Sequence, residues 1–535
     1  MQKEFENHTR NGSWVWEKRC DVPRGRRLIK LVWVFKVKRD GKLKSRLCVQ
    51  GCAQSAGVDY HETFSATLGH TSLRMLASLA SRAGLRLRRW DFVSAYLQGE
   101  LEEGEVVYCY APPGFERKDD DGNEMICKIV KPVYGMAQAG RRWQRSLFPW
   151  LHEFGFTPSK HDPCVFFCDR QMDTPSGPRS ERLVLGCYVD DLAVGYLHDD
   201  EHSLYRLFTS ALKSWDVEDE GDLNDLLGVE FSNSGGVVTL RQSAYIEKMV
   251  QAHLPGGSGG VGGRSLPYDM ALPQHVADAL ALTDERDPEL VTQYRSLVGA
   301  LLYCSTNTRP DVAYTVGMLS RALSKPTPEL LEAAHRCLRY LHHTRDIGLR
   351  FEADKRPLHG YSDSDWAVKH STSGWVFILN QAAISWGSKK QKSVALSSCE
   401  AEIVAGSEAG KEAVHLAGLS KEFGLGDDEP IDLMMDNRSA IDVAYNPEHQ
   451  GRMKHVERRH FYLRELVEEH RIRVPFVSSV DNIADFFTKP LRASMFYPMR
   501  DRIMNVPPGS GPRGGVMPNA GGDRNGPVQP RLHDI

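Results

Sequence analysis

Two adjacent aspartates, Asp190 and Asp191, stand between apolar runs in LVLGCYVDDLAVGY (183–196). Like charges this close repel and raise each other's pKa unless a cation sits between them. Paired aspartates are most often exposed turn residues, and Asp199-Asp200 reads that way. Asp190-Asp191 differs in its β-branched and aromatic flanks, with Tyr188 and Val189 just before it. Asp91 has a comparable setting near the end of the alternating run LRLRRWDFV (85–93). Three carboxylates from two strand ends could hold two divalent metals for phosphoryl transfer. A second set lies further on, with Asp363 in GYSDSDW, Glu402 in SSCEAEI, Asp436 in MMDNRSA and Asp485 in DNIADFFTKP. A fold that brings these together makes a second two-metal site. The histidines His449, His455 and His460 lie among Arg452, Lys454, Arg458 and Arg459. Their spacing is too loose for zinc; backbone contact with nucleic acid, or helix capping and packing, suits them better.

The elements that must carry these residues are legible in part. KLVWVFKVKRDGKLKSRLCVQG (30–51) reads as two β-rich runs around an Asp40-Gly41 turn. SLRMLASLASRAG (72–84) has helical apolar spacing and a glycine stop, and 85–93 alternates as a strand. The run holding Asp190 and Asp191 is a second hairpin. YRSLVGALLYCS, RPDVAYTVGMLSRAL and PELLEAAHRCLRYLHH read as helices, with Pro310 near a helix start. From about residue 356 short strands (358–362, 374–380, 383–387, 431–435, 472–477) alternate with helices near 398–423, 438–445, 459–470 and 481–487. That pattern puts Asp363 and Asp436 at strand ends, and Glu402 and Asp485 on helices.

At 535 residues the chain is too long for one domain, and 41% hydrophobic with 26% charged residues excludes wholesale disorder. No apolar run approaches the roughly 18 residues of a membrane span, and MQKEFENHTR lacks an apolar signal region. The 11 cysteines include no CxxC pair, and Cys48/Cys52 and Cys164/Cys168 give a weak zinc signal. An intracellular, reducing setting is expected. The net charge of −3 conceals a basic end: residues 18–46 hold 12 Lys/Arg against 2 Asp/Glu. A basic end on an otherwise acidic chain suggests a polyanion partner, against the plainer alternative of a solvated face. PGGSGGVGG (255–263) reads as a linker, and residues 506–535, with 7 Gly and 6 Pro, read as disordered.

Five motifs in order make the chain resemble the reverse transcriptase–ribonuclease H region of copia-type LTR retrotransposon polyproteins, from about residue 25 to about 492. They are the basic hairpin WVFKVKRDGKLKSRLCVQG (33–51), DFVSAYLQGEL (91–101), VYGMAQAGRRW (133–143), YVDD (188–191) and DLLGVEFS (225–232). The resemblance implies metal ligation by Asp91, Asp190 and Asp191, with Asp91 and Asp190 the direct ligands. It implies that Tyr96 lies beneath the nucleotide sugar and selects deoxynucleotides. Tyr134 and Gly135 would floor the nucleotide pocket, Lys44 and Arg46 are candidates for the triphosphate clamp, and Leu227 and Gly228 would belong to the primer grip. In the C-terminal region it implies a ribonuclease H site of Asp363, Glu402, Asp436 and Asp485, with Glu402 preferred to Glu400 and Asp363 to Asp365. Gly140 and Ala137 stand where the family usually has Pro and Lys, and Cys399 where Thr is common. Gly140 frees a backbone that proline would fix, which could loosen the pocket. No protease, integrase or gag zinc-knuckle motif is visible, so a polyprotein fragment or a truncated element copy is expected.

The fold expected is therefore an α+β right-hand polymerase followed by a helical connection and an α/β ribonuclease H-like domain. Its parts would be an N-terminal extension (1–20), reverse transcriptase (21–250), Gly-rich linker (251–264), connection (265–355), ribonuclease H-like domain (356–490) and a largely disordered tail (491–535). The implied cofactor is Mg²⁺ or Mn²⁺, two per site. The implied partners are an RNA template, a DNA or RNA primer, an RNA–DNA hybrid and dNTPs. Self-association into a dimer is compatible with this reading, a membrane is not, and the cytoplasm (in a virus-like particle) or the nucleus is the expected location. The rival is a decayed or co-opted copy that binds nucleic acid without catalysis.

Overall fold

The computed structural model describes residues 1–37, 41–254, 266–366, 370–445 and 462–508. Asp40, the glycine-rich run 255–263, the three histidines of 449–460 and residues 509–535 lie outside the described residues.

The basic run folds as the expected ribbon, Leu31–Val37 antiparallel to Leu43–Val49, with Lys36 opposite Lys44 and Val34 opposite Arg46. Beside it a four-stranded sheet runs Trp14–Lys18, Met125–Ile129, Val107–Cys109, Leu28–Ile29. This corrects the expectation that residues 1–20 are a mere extension. Helix Gln2–Asn11 closes on Gly12 (φ 61°), and Trp14–Lys18 pairs along its whole length with Met125–Ile129.

A six-stranded antiparallel sheet follows, in the order Val217–Asp222, Arg86–Phe92, Asp191–Tyr196, Gly177–Tyr188, Val165–Thr174, Thr157–Pro158. Successive strand residues point to opposite faces, so alternation splits the apolar side chains between two cores. Phe166, Leu183, Leu185, Leu192 and Val194 pack under helices Ala139–Phe154 and Leu204–Leu212. Val165, Phe167, Val184 and Ala193 share the other core with helix His70–Ala83.

Next, Asp225–Leu226, Val229–Ser234 and Val237–Arg241 form a sheet whose fourth strand is Leu349–Phe351. Between them run helices Ser243–His253, Leu272–Ala281, Pro288–Asn307, Ala313–Ser320 and Pro328–His343. The linker expected at 251–264 thus falls within a unit that shares one sheet. The last sheet has the order Ala382–Lys390, Thr372–Leu379, His359–Asp365, Ile431–Met434, Ile472–Arg473. Its first three strands are antiparallel and its last two run parallel to the central one, with helix Ser398–Glu422 packed against it.

The chain does not turn into a disordered tail at 491. Helix Ala493–Met504 buries Phe496, Arg500, Ile503 and Met504. Pro498 and the buried Arg500 blur its apolar period, which is why the sequence pattern missed it. One core runs from helix His70–Ala83 through the helical segment into the last sheet. Arg74 rivets the junction, donating to the carbonyls of Ile384 (2.7 Å), Thr306 (2.9 Å) and Asn307 (2.8 Å). No helix among the described residues is long and apolar enough to cross a membrane.

Candidate active sites

The first carboxylate group is set by strand register. Asp91 lies directly across from Asp191 on the neighbouring strand, and Tyr188 pairs with Asp191, so Val189 and Asp190 form the hairpin turn. Val189 has φ 53°, a strained conformation for a β-branched residue. Its carbonyl accepts from Trp143 Nε1 at 2.7 Å, and the Asp190 carbonyl accepts from Phe92 N at 2.9 Å. The first bond ties the turn to helix Ala139–Phe154 and the second to the strand that carries Asp91.

Burial, then Asp191 and Asp190, push Asp91 up to about 6. Burial also raises Asp190 and Asp191. Arg89 Nε donates to Asp191 Oδ1 at 2.9 Å and its Nη1 to Asp225 Oδ1 at 3.1 Å, a partner the sequence reading did not name. It lies two residues before Asp91, which puts it on the same strand face. Asp190 Oδ2 accepts from the Tyr134 hydroxyl at 3.3 Å, whereas its Oδ1 is buried without a hydrogen-bond partner among the described residues. A buried carboxylate oxygen left this way beside two more carboxylates fits a cation.

The expected pocket residues gather around Asp190. The Tyr134 ring lies 4.7 Å from that of Tyr96 and 4.8 Å from the Arg46 guanidinium. Arg46 and Lys44 both pull Asp190 downward electrostatically, against its burial. Gly135 (φ 87°) is required by close approach: a Cβ there would stand 2.2 Å from the Val49 carbonyl oxygen. Val49 N also donates to the Tyr134 carbonyl at 2.7 Å, so the ribbon and the pocket floor are joined through backbone. Gly140, where the family usually has Pro, stands in the first turn of helix Ala139–Phe154. A Cβ on it would meet Ser65 Oγ at 3.1 Å. Leu227 and Gly228, at φ 55° and 69°, form a two-residue turn, and the Leu227 carbonyl accepts from the Tyr303 hydroxyl.

In the last domain Asp363, Asp436 and Asp485 each offer an oxygen, and these lie within 4.8 Å of one another. Asp363 ends the buried part of its strand, Asp436 follows strand Ile431–Met434, and Asp485 lies on the single turn Ile483–Phe487. Asn482 caps that turn and donates to the Ser362 carbonyl at 3.1 Å, pinning Asp485 beside Asp363. Thr488 Oγ1 donates to Asp363 Oδ2 at 2.5 Å, and Lys489 Nζ lies 2.7 Å from Asp485 Oδ1. Neither Thr488 nor Lys489 was singled out in the sequence. Lys489 follows Asp485 by four residues, a spacing that could have pointed to it.

The close alternatives differ in what they touch. Glu402 Oε1 accepts from Ser364 N at 3.3 Å, and its Oε2 is buried without a hydrogen-bond partner among the described residues. Burial, then Asp363 and Asp436, push Glu402 up to about 9, while burial and Asp485 push Asp363 to about 7. Glu400 instead secures the helix start: its N–H donates to Ser397 Oγ at 3.1 Å and its Oε2 accepts from Leu396 N at 2.7 Å. Asp365 accepts from Thr372 N, its register partner on the neighbouring strand. Four buried or half-buried carboxylates with one lysine among them would hold divalent cations, and the raised values are what such a set shows without them.

The architecture is thus an α+β polymerase joined through helices to a further α/β domain. The chain belongs to the reverse transcriptase (RNA-dependent DNA polymerase) family, whose sequence profile matches residues 14–258. The copia-type resemblance is borne out by its relatives. The retrovirus-related Pol polyprotein from transposon TNT 1-94 of Nicotiana tabacum is 33% identical over 93% of this chain and 37% of its own length. That from transposon RE1 of Arabidopsis thaliana is 32% identical over 93% of this chain and 33% of its own length. The chain therefore spans about a third of those polyproteins. The putative transposon Ty5-1 protein YCL074W of Saccharomyces cerevisiae is 30% identical over 59% of this chain and 98% of its own length. Among solved structures, a foamy viral protease-reverse transcriptase in complex with RNA/DNA hybrid aligns with TM-score 0.47 at 12% identity, over 92% of this chain and 54% of that one.

Proposed function

We propose that this chain is the RNA-directed DNA polymerase of a retrotransposon with a coupled ribonuclease H that cuts the RNA strand of the hybrid. The observation that carries the reading is the pair of buried carboxylate groups, each with an oxygen (Asp190 Oδ1, Glu402 Oε2) that lacks a hydrogen-bond partner among the described residues. At each group Mg²⁺ or Mn²⁺, two per site, would supply Lewis-acid activation and neutralise developing phosphoryl charge.

The chain's own residues do the rest. Asp91, Asp190 and Asp191 hold the cations of the first site, with Arg89 fixing the Asp191 carboxylate. Arg46 and Lys44 bind the triphosphate, Tyr134 and Gly135 floor the pocket, and Tyr96 excludes a 2′-hydroxyl. Leu227 and Gly228 hold the primer backbone through their turn. In the second site Asp363, Glu402, Asp436 and Asp485 hold the cations. Lys489 offsets their negative charge and Thr488 fixes the Asp363 oxygen. The template is RNA, the primer DNA or RNA, and the A-form hybrid is recognised through phosphates and 2′-hydroxyls.

The test is primer extension on an RNA template, and release of labelled RNA from a hybrid, by the purified chain with Mg²⁺. Both activities are expected, and both should vanish with EDTA. Tight binding without either reaction would establish a non-catalytic nucleic-acid-binding copy instead.

A further inference from the structure

Helix Gln2–Asn11 contributes no residue to either site, yet it reaches the turn that carries Tyr96. Asn7 Nδ2 donates to Ser94 Oγ at 2.9 Å. Asn11 Nδ2 donates to Asn7 Oδ1 at 3.0 Å, which orients the Asn7 amide so that its NH₂ faces Ser94. Ser94 has φ 52° and ψ 47°, the left-handed conformation that costs a non-glycine residue energy. This residue swings the chain out of strand Arg86–Phe92 and into the turn Ala95–Gln98. The helix itself is anchored, with the Phe5 ring stacked 4.2 Å from that of Phe115. At its other end Leu47 N, next to Arg46, donates to Glu4 Oε1 at 3.4 Å. It therefore spans from the strand bearing Arg46 to the turn bearing Tyr96.

We propose that Asn7 is a positioning residue for sugar selection: by holding Ser94 in its left-handed conformation it sets Tyr96 against Tyr134. The proposal rests on the reading of Tyr96 as the residue that excludes ribonucleotides. Without the Asn7 bond, Ser94 relaxes toward ordinary dihedrals and the Tyr96 ring loses its fixed height in the pocket.

The experiment measures kcat/KM for dNTP and rNTP incorporation in Asn7→Ala, with hybrid cleavage and melting as controls. Discrimination should fall by about three- to tenfold, the worth of one neutral hydrogen bond, while hybrid cleavage holds. Ser94→Gly adopts the same dihedrals without help, so in that background Asn7→Ala should be silent. Asn7→Asp keeps the packing and can accept from the Ser94 hydroxyl, so it should retain most of the discrimination. The proposal is overturned if Asn7→Ala lowers both activities in parallel through stability alone, or if its effect persists beside Ser94→Gly. It also falls, with the reading of Tyr96 intact, if Tyr96→Val loosens discrimination and Asn7→Ala does not. If Tyr96→Val changes nothing, the failure belongs to Tyr96 itself.

Discussion

Tyr96 and Glu402 are the residues whose assigned roles can be separated most cleanly from structural ones. Tyr96→Val should lower dNTP-over-rNTP discrimination by at least about tenfold, about 1.4 kcal/mol, measured by single-nucleotide incorporation. Unchanged discrimination in an active enzyme would return Tyr96 to the core. Glu402→Gln should abolish hybrid cleavage and spare DNA synthesis, whereas Glu400→Gln should only weaken the helix start, by about 1 kcal/mol. Glu402 also carries a pH signature. Its folded value of about 9 exceeds its ordinary 4.5, so between these the folded state keeps a proton that the unfolded chain has lost. Metal-free stability should therefore fall as pH rises from about 4.5 toward about 9, and Mg²⁺ should restore it. Glu402→Gln should raise the melting temperature in EDTA at pH 8, by about 1 °C per kcal/mol recovered for a chain that melts as one unit. A Gln variant that melts lower in EDTA would contradict a cost of holding the Glu402 carboxyl protonated in the folded state. All seven carboxylates were legible in the sequence, because ordered motifs carry them. Arg89, Thr488 and Lys489 were not, since a partner's role is fixed by strand face and turn geometry rather than by residue type.

Elements were legible wherever apolar period was clean. The alternation in 183–196 and the helical spacing in 72–84 correspond to the hairpin of Asp190 and to helix His70–Ala83. Helix Gln2–Asn11 was missed because His8 is its only buried residue, which leaves no apolar stripe to read. Strand Leu349–Phe351 was missed because three residues give no periodicity, and its pairing with Val237–Arg241 is settled by tertiary packing. The junction of the two units that carry the carboxylate groups depends on Arg74, buried with its donors on three carbonyls from two other elements and stacked 4.3 Å from the Trp386 ring. Arg74→Ala strips those carbonyls of their donor, and the loss should be about 3 kcal/mol in urea unfolding, more if water cannot enter. Polymerisation and cleavage should then fail together on mild heating. A variant as stable as the parent would show the junction to be held by its apolar core alone.

Across the whole molecule, the proposed function requires one nucleic acid to reach both carboxylate groups, and charge is the term that can be tested. The basic run 18–46 carries 12 Lys/Arg, and its ribbon leaves Phe35, Val37 and Leu43 exposed as well. If about 4 to 6 of these cations meet phosphates, log affinity for hybrid should fall against log salt with a slope of roughly −3 to −5. Neutralising Lys42, Lys44 and Arg46 together should flatten that slope, and a slope indifferent to the change would make the run a solvated face. The central claim is that one chain holds two independent cation-dependent sites, the first built on Asp190 and the second on Asp363, Glu402, Asp436 and Asp485. Asp190→Asn tests it most directly, since the amide is nearly isosteric and the second site lies in another sheet. Primer extension on an RNA template with Mg²⁺ should be lost while cleavage of an RNA–DNA hybrid proceeds at the parent's rate. Full extension by the folded variant, or loss of both reactions together, would contradict the two-site account.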